Sequence, residues 1–249
     1  MAVVLMPLPS LDFDPTEAAV PWLELTRRGH QVRFATPDGG VARADPRMLE
    51  GAGLGPLRTV LRADSNGRAA YAAMAADQAF NNPWDYTRAA TEQVDGLLLP
   101  GGHAPGMREY LESNTLQAIV TQAFAHDLPI GAICHGVVLA ARAQTSNGRS
   151  VLYGRRTTAL TQGLELTAWA LTMLWLGRYY RTYPETVQSE VTRALAKASD
   201  FEAGPLPLGR DSSARLQSGF TTRDGNYLSA RWPGDAHRFA AEFAGMIES

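Results

Sequence analysis

Asp127-Leu128-Pro129-Ile130-Gly131-Ala132-Ile133-Cys134-His135-Gly136-Val137-Val138-Leu139-Ala140-Ala141 is the stretch on which the reading of this chain turns. The apolar run from Ile130 to Ile133 predicts a buried strand, and Val137 to Ala143 predicts the start of a buried helix. Between them stands Cys134, with Ala132 two residues before it and Gly136 two residues after. A strand that turns directly into a helix has room only for small side chains beside the residue at the turn. That residue is pushed out at the carboxyl end of the sheet, so the spacing is that of a nucleophile elbow carrying a thiol. The thiol would face the amino terminus of the helix, where unpaired N–H groups favour a thiolate. Cys134 is the only cysteine in the chain, and His135 follows it directly. The competing reading is core packing, since free cysteines are among the most buried residues. Segments elsewhere in the chain decide between the two.

Upstream, Asp95 to Pro100 reads as a buried strand running into Gly101-Gly102-His103. Two adjacent glycines there let the backbone approach a ligand and turn its N–H groups inward. A helix from about Asn114 to His126 connects this loop to the elbow strand. At the start of the chain, Ala2 to Leu8 reads as a first strand. Asp14-Pro15-Thr16-Glu17 then carries helix-start chemistry: a capping carboxylate, a proline in the first turn and an acid near the positive end of the dipole. That helix runs to about Arg28, is stopped by Gly29, and leads into a second strand, Gln31 to Thr36. The alternation predicts a single α/β domain over residues 1–249: a doubly wound, mostly parallel, flavodoxin-like sheet with helices on both faces.

Residues 41–88 break this rhythm and are expected to form an inserted cap over the strand ends. Asp77, Asn81, Asn82, Trp84 and Tyr86 are its candidates for lining a substrate pocket. Beyond the elbow, Thr157 to Leu160 reads as a short strand. Leu164 to Tyr180 reads as a helix that is apolar nearly all round, with Trp169, Trp175, Tyr179 and Tyr180. Such a helix is either central or at a subunit contact, and the contact reading makes a homodimer the expected assembly. Val187 to Ala198 reads as an amphipathic helix. Phe220 to Ala230 reads as a hairpin with an Asp224-Gly225 turn, and a last helix runs from after Asp235 to Ile247.

Composition narrows the functional classes. Hydrophobic residues make up 45% of the chain and charged ones 19%, as in a globular protein, and a net charge of −2 offers no basic footprint for nucleic acid. The amino terminus lacks a basic n-region, and no apolar run approaches the roughly 20 residues a membrane helix needs. With a single cysteine these features favour a cytoplasmic protein acting on a small molecule. No His-x-x-x-His or Cys-x-x-Cys spacing is present, which argues against zinc held by His103, His126 and His135. No cofactor is expected.

In a doubly wound sheet ligands sit outside the carboxyl ends of the strands. The turn bearing Glu17, the Gly101-Gly102-His103 loop and the Cys134 elbow share that address. With Leu-Leu-Pro-Gly-Gly-His ending at His103 and Ala-Ile-Cys-His-Gly around Cys134, the chain resembles the ThiJ/PfpI superfamily, whose fold is that of class I glutamine amidotransferases. Within it, the chain is most similar to the branch of heat-shock chaperones and glyoxalase III proteins. The resemblance implies Cys134 as nucleophile, Glu17 as its hydrogen-bonded partner and proton shuttle, and His135 as general base or orienter. It further implies Gly101, Gly102 and His103 as the oxyanion-hole and substrate-binding segment, with the N–H groups of Gly102 and His135 as donors.

That branch places an aspartate after the next strand to orient the histidine. Here Gln162 stands at the corresponding place. Either Glu165 substitutes from the following helix turn, or no carboxylate orients His135. The apolar composition of 164–180 also departs from the branch. The expected activity is cofactor-free conversion of a 2-oxoaldehyde to a 2-hydroxy acid. The alternatives are a hydratase or a tailoring enzyme of secondary metabolism using the same pair, and a holdase chaperone or thiol redox sensor.

Overall fold

The computed structural model describes every residue, Met1–Ser249. Its main sheet has seven strands in the order β5-β3-β1-β6-β7-β9-β8. These are β1 (Val3–Pro7), β3 (Gln31–Thr36), β5 (Trp84–Asp85), β6 (Gly96–Leu99), β7 (Ile130–Ile133), β8 (Thr221–Asp224) and β9 (Tyr227–Ala230). All pairs are parallel except β8 with β9, the hairpin the sequence predicts, whose Gly225 takes φ 61° at the turn. A second, two-stranded sheet pairs β2 (Leu11–Phe13) with β4 (Arg43–Ala44). The doubly wound, mostly parallel reading therefore holds.

Central strands buried on both sides must be apolar throughout, and β6 and β7 are buried at all four positions. One face of the sheet carries α1 (Pro15–Arg27), α4 (Ser65–Ala75) and α12 (Ala236–Ile247), which pack together. The other carries α7 (Met107–Leu111), α8 (Asn114–Ala125), α9 (Gly136–Arg142) and α11 (Val187–Ala194). From β1 the chain moves outward to β3 and β5, then returns to the opposite side of β1 for β6 and β7. The sheet thus changes winding direction between β1 and β6, which opens a crevice at their carboxyl ends.

Residues 41–88 divide. The segment holding α2 (Pro46–Glu50) and α3 (Arg58–Leu61) lies over the crevice. There Met48 and Leu54 form a small separate core with Ala104, Tyr179 and Tyr180. The remainder belongs to the main body: α4 packs on α1, α5 (Gln78–Asn81) packs on β3, and β5 extends the sheet before α6 (Tyr86–Ala89). Thr157–Leu160 is not a strand. Only Thr157 makes a bridge, to Phe201, and the next backbone N–H, that of Thr158, is taken by the Ser229 hydroxyl (2.9 Å) instead of a neighbouring strand. The apolar helix, α10 (Gln162–Leu176), is not central. It lies at the surface with Leu171, Leu174 and Trp175 exposed. No helix is long and apolar enough to cross a membrane.

Candidate active site

Asp14 starts α1. Its side chain accepts from the N–H groups of Thr16 (2.8 Å) and Glu17 (3.1 Å), satisfying two of the donors that a helix start leaves unpaired. This fixes Glu17 in the first turn, pointing into the crevice. The backbone N–H of Asp14 donates to the Gly101 carbonyl (2.9 Å), and the Gly101 N–H donates to Glu17 Oε2 (2.9 Å). The helix and the diglycine loop are thereby stitched together twice. Only glycine fits at Gly101: a Cβ there would stand 2.7 Å from Glu17 Oε2 and 2.7 Å from the His135 nitrogen. At Gly102, φ is 150° and a Cβ would stand 2.7 Å from the Asp12 carbonyl. Asp12, itself at φ 77°, closes the loop by accepting from the Gly106 N–H at 2.8 Å.

The elbow forms as the spacing predicts. Cys134 adopts φ 57°, a left-handed conformation that costs a non-glycine residue of order 1 kcal/mol or more. It persists because β7 is anchored on one side and α9 begins on the other. Cys134 is 3% exposed and Glu17 is fully buried. The two side chains lie against each other, so each bears on the other's protonation. Glu17 Oε1 has no hydrogen bond of ordinary geometry. Burial, reinforced by neighbouring Asp14, pushes the Glu17 carboxyl well above its ordinary range. Burial therefore favours the protonated acid, and Oε1 is the oxygen left to present a proton to sulfur. Burial also pushes the Cys134 thiol up, overriding the helix-end effect that the sequence suggests. A charged Glu17 or Asp14 would push it further.

His135 Nδ1 lies 3.5 Å from the Cys134 sulfur. Its Nε2 lies 3.1 Å from Thr182 Oγ1, and that hydroxyl donates to the His103 carbonyl at 2.6 Å. A hydroxyl committed as donor to a carbonyl accepts from its other neighbour, so Nε2 carries the imidazole hydrogen. Nδ1 then faces the thiol with a lone pair. Burial pulls the His135 pKa down to about 3, keeping the ring neutral. The orienter is thus a threonine, and neither acid considered from sequence fills that place. Glu165 is turned away, paired with Arg181 (3.1 Å) and accepting from the Val187 N–H (2.9 Å). Gln162 is exposed, its N–H donating to Gln188.

The remaining expectations separate. The Gly101 N–H serves Glu17 and is not available to an oxyanion, whereas those of Gly102 and His135 donate to no protein oxygen. His103 shapes the loop. Its ring stacks on Tyr180 (4.3 Å between centroids) and meets the edge of Tyr179 (5.0 Å). Trp84 and Tyr86 do not reach the site. Trp84 sits on edge strand β5 between Arg33 and Arg88, and the buried Tyr86 donates to the Leu8 carbonyl as a strut of the core. His126 caps the end of α8 just before β7, at the amino ends of the strands and away from the elbow. No group of three or more His, Cys, Asp or Glu side chains is placed to hold a metal. Thr182 was invisible to sequence reasoning: it lies in the turn after an apolar helix, and only the fold brings it to His135.

Comparison with known proteins gives a consistent placement. A family model described as ThiJ/PfpI family-like matches residues 8–205. The glutathione-independent glyoxalase hsp3102 of Schizosaccharomyces pombe is 25% identical over 156 residues, 60% of this chain and 60% of the relative. An uncharacterised protein of the same yeast is 31% identical over 140 residues, 55% of this chain and 49% of that protein. The matches thus span about half to three fifths of these relatives' length. Among solved structures, the rapid encystment protein of Francisella tularensis superposes with a TM-score of 0.70 at 19% identity, covering 99% of both chains. Glyoxalase III from Candida albicans superposes with a TM-score of 0.66 at 16% identity, covering 98% of this chain and 97% of its own.

Proposed function

The chain belongs to the ThiJ/PfpI-like family, and from that premise we propose that it is a cysteine-dependent enzyme of glyoxalase III type. It would convert a 2-oxoaldehyde to a 2-hydroxy acid with Cys134 and Glu17 as the reacting pair. The observation that carries this reading is the fully buried Glu17, one oxygen held by Gly101 and the other free against the thiol of a strained elbow.

In this reading His135 Nδ1 takes the Cys134 proton as sulfur adds to the aldehyde carbon, C1. The oxyanion at C1 is met by the N–H groups of Gly102 and His135 and takes the Glu17 proton. Glu17, now a carboxylate, removes the C1 hydrogen as a proton. The electron pair of that bond moves toward C2, and the C2 oxygen takes the proton held by His135. Glu17 then returns its proton to C2 and recovers one from the C1 hydroxyl. This leaves a thioester at C1 and an alcohol at C2. Water cleaves the thioester and restores the thiol. C1 is oxidised and C2 reduced by the same two electrons, so no external redox partner enters. The relative named as a glutathione-independent glyoxalase supports the same choice of substrate class.

The test is production of 2-hydroxy acid from a 2-oxoaldehyde in the absence of glutathione, with acid-quenched intact mass during turnover. The expected result is a thioester adduct on the wild-type chain and none on Cys134→Ala. Product formation at an unchanged rate by Cys134→Ala would remove the proposal.

A further inference from the structure

Beyond Thr182 and His135, on the far side from the Cys134 sulfur, lies a cavity of about 660 Å³ whose lining includes Arg47, Arg108, Arg178 and Arg181, together with Tyr179 and Thr182. No acidic side chain lines it. Four guanidinium groups converge on one pocket in a protein whose net charge is −2. Arg181 is neutralised by Glu165 behind it. The other three form no salt bridge. Asp45, the nearest acid to Arg47, has both oxygens committed elsewhere, one to the Arg47 backbone N–H and the other to the Tyr179 hydroxyl. Arg47 is held over the Tyr179 ring, 4.8 Å from its centroid, with its buried Nε–H lacking any acceptor. Arg108 spends its Nε–H and one Nη–H on the Thr182 carbonyl (3.1 and 2.6 Å), leaving the other amino group free. Arg178 is exposed, and its side chain makes no hydrogen bond or salt bridge.

The pocket and the candidate active site share one wall residue, Thr182. Its hydroxyl accepts from His135 Nε2, whose ring stands beside the Cys134 sulfur. The geometry points to an anion subsite in which Arg47, Arg108 and Arg178 hold a phosphate group of the substrate while its carbonyl reaches Cys134. This rests on the reading of Cys134 as nucleophile and names the substrate class for it: a carbonyl compound bearing a phosphate ester. Phosphate rather than carboxylate is indicated by charge. Asp45 offsets Arg47 in part, which leaves about two guanidinium charges unbalanced; a monocarboxylate would meet only one of them, whereas a phosphate dianion balances both and offers oxygens to several planar donors. The cavity is of the size that holds small organic ligands.

The subsite is tested by calorimetric titration of inorganic phosphate, acetate and sodium chloride at matched ionic strength into the full-length Cys134→Ala chain, so that binding is read without turnover. Saturable phosphate binding is expected, tighter than acetate by about tenfold or more. In the Arg47→Gln/Arg178→Gln background it is expected to weaken by about tenfold or more. Arg149→Gln, a surface arginine remote from the pocket, should bind phosphate as the parent does. Arg178→Gln alone, which removes no intramolecular bond, serves if the double variant fails to fold. Absence of saturable binding, equal affinity for acetate, or undiminished affinity in the arginine variants would overturn the subsite. Failure here with turnover still dependent on Cys134 would leave the reacting pair standing. Phosphate binding in a chain whose turnover ignores Cys134 would do the reverse.

Discussion

At the residue scale, burial decides which groups of the site favour their neutral forms. Burial favours the protonated form of Glu17, because its carboxyl is closed off from solvent and accepts from only one backbone donor, the Gly101 N–H. Glu17→Gln preserves that acceptor but cannot shuttle a proton. Turnover is expected to fall by about 10²–10⁴ with the fold intact, measured as kcat beside a melting curve. Thr182→Val removes the hydroxyl that selects the His135 tautomer, so kcat should fall by about tenfold or more while Thr182→Ser restores it. A purely structural role would lower stability in both variants and leave the pH profile of the remaining activity in place. Gly101→Ala would drive a methyl group into Glu17 and the His135 nitrogen. It is expected to abolish activity and lower the melting temperature together.

At the scale of elements, the start of α1 carries a pH signature. Burial pushes Asp14 up to about 6 from an ordinary 3.8. The folded chain therefore binds more protons than the unfolded one between those values. By linkage this contribution makes the fold less stable as pH rises from about 4 to 6, with no further change above that window. His103 and His135, pulled down to about 3, act oppositely, removing stability as pH falls below their ordinary 6.5. Asp14→Asn keeps the cap acceptor and lacks the titration. Urea unfolding across pH 4 to 6 should then lose the Asp14 contribution, of order 2 kcal/mol.

What was legible in the sequence follows the same division. The elbow, the diglycine loop and the Glu17 turn were readable because each needs particular residues at adjacent positions. The hairpin was readable from Asp224-Gly225 for the same reason. The orienter was not, because any hydroxyl or acid on any loop can serve, and Thr182 is 47 residues from His135. Trp84 and Tyr86 looked like pocket residues because aromatic side chains serve cores and ligands alike. Their places on an edge strand and under β1 emerged only from strand order.

For the whole molecule, the exposed face of α10 is the feature the isolated chain leaves unresolved by packing. The sequence allowed this helix to be central or at a subunit contact, and Leu174 at 91% exposure with Leu171 and Trp175 beside it excludes the first. The wild-type chain is expected to sediment as a dimer, and Leu174→Asp to shift it toward monomer at the same concentration. A monomeric wild type would remove the contact reading. The crevice itself is made by the change of winding between β1 and β6, which brings α1, the diglycine loop and the elbow to one end of the sheet. The most direct test of that convergence is the rate of 2-hydroxy acid formation by wild type, Cys134→Ala and Glu17→Gln, each verified to melt as a folded protein. The expected result is loss of at least about 10² in rate for either variant, with no larger loss when the two are combined, since they act as one unit. Retention of wild-type turnover by either single variant would contradict it.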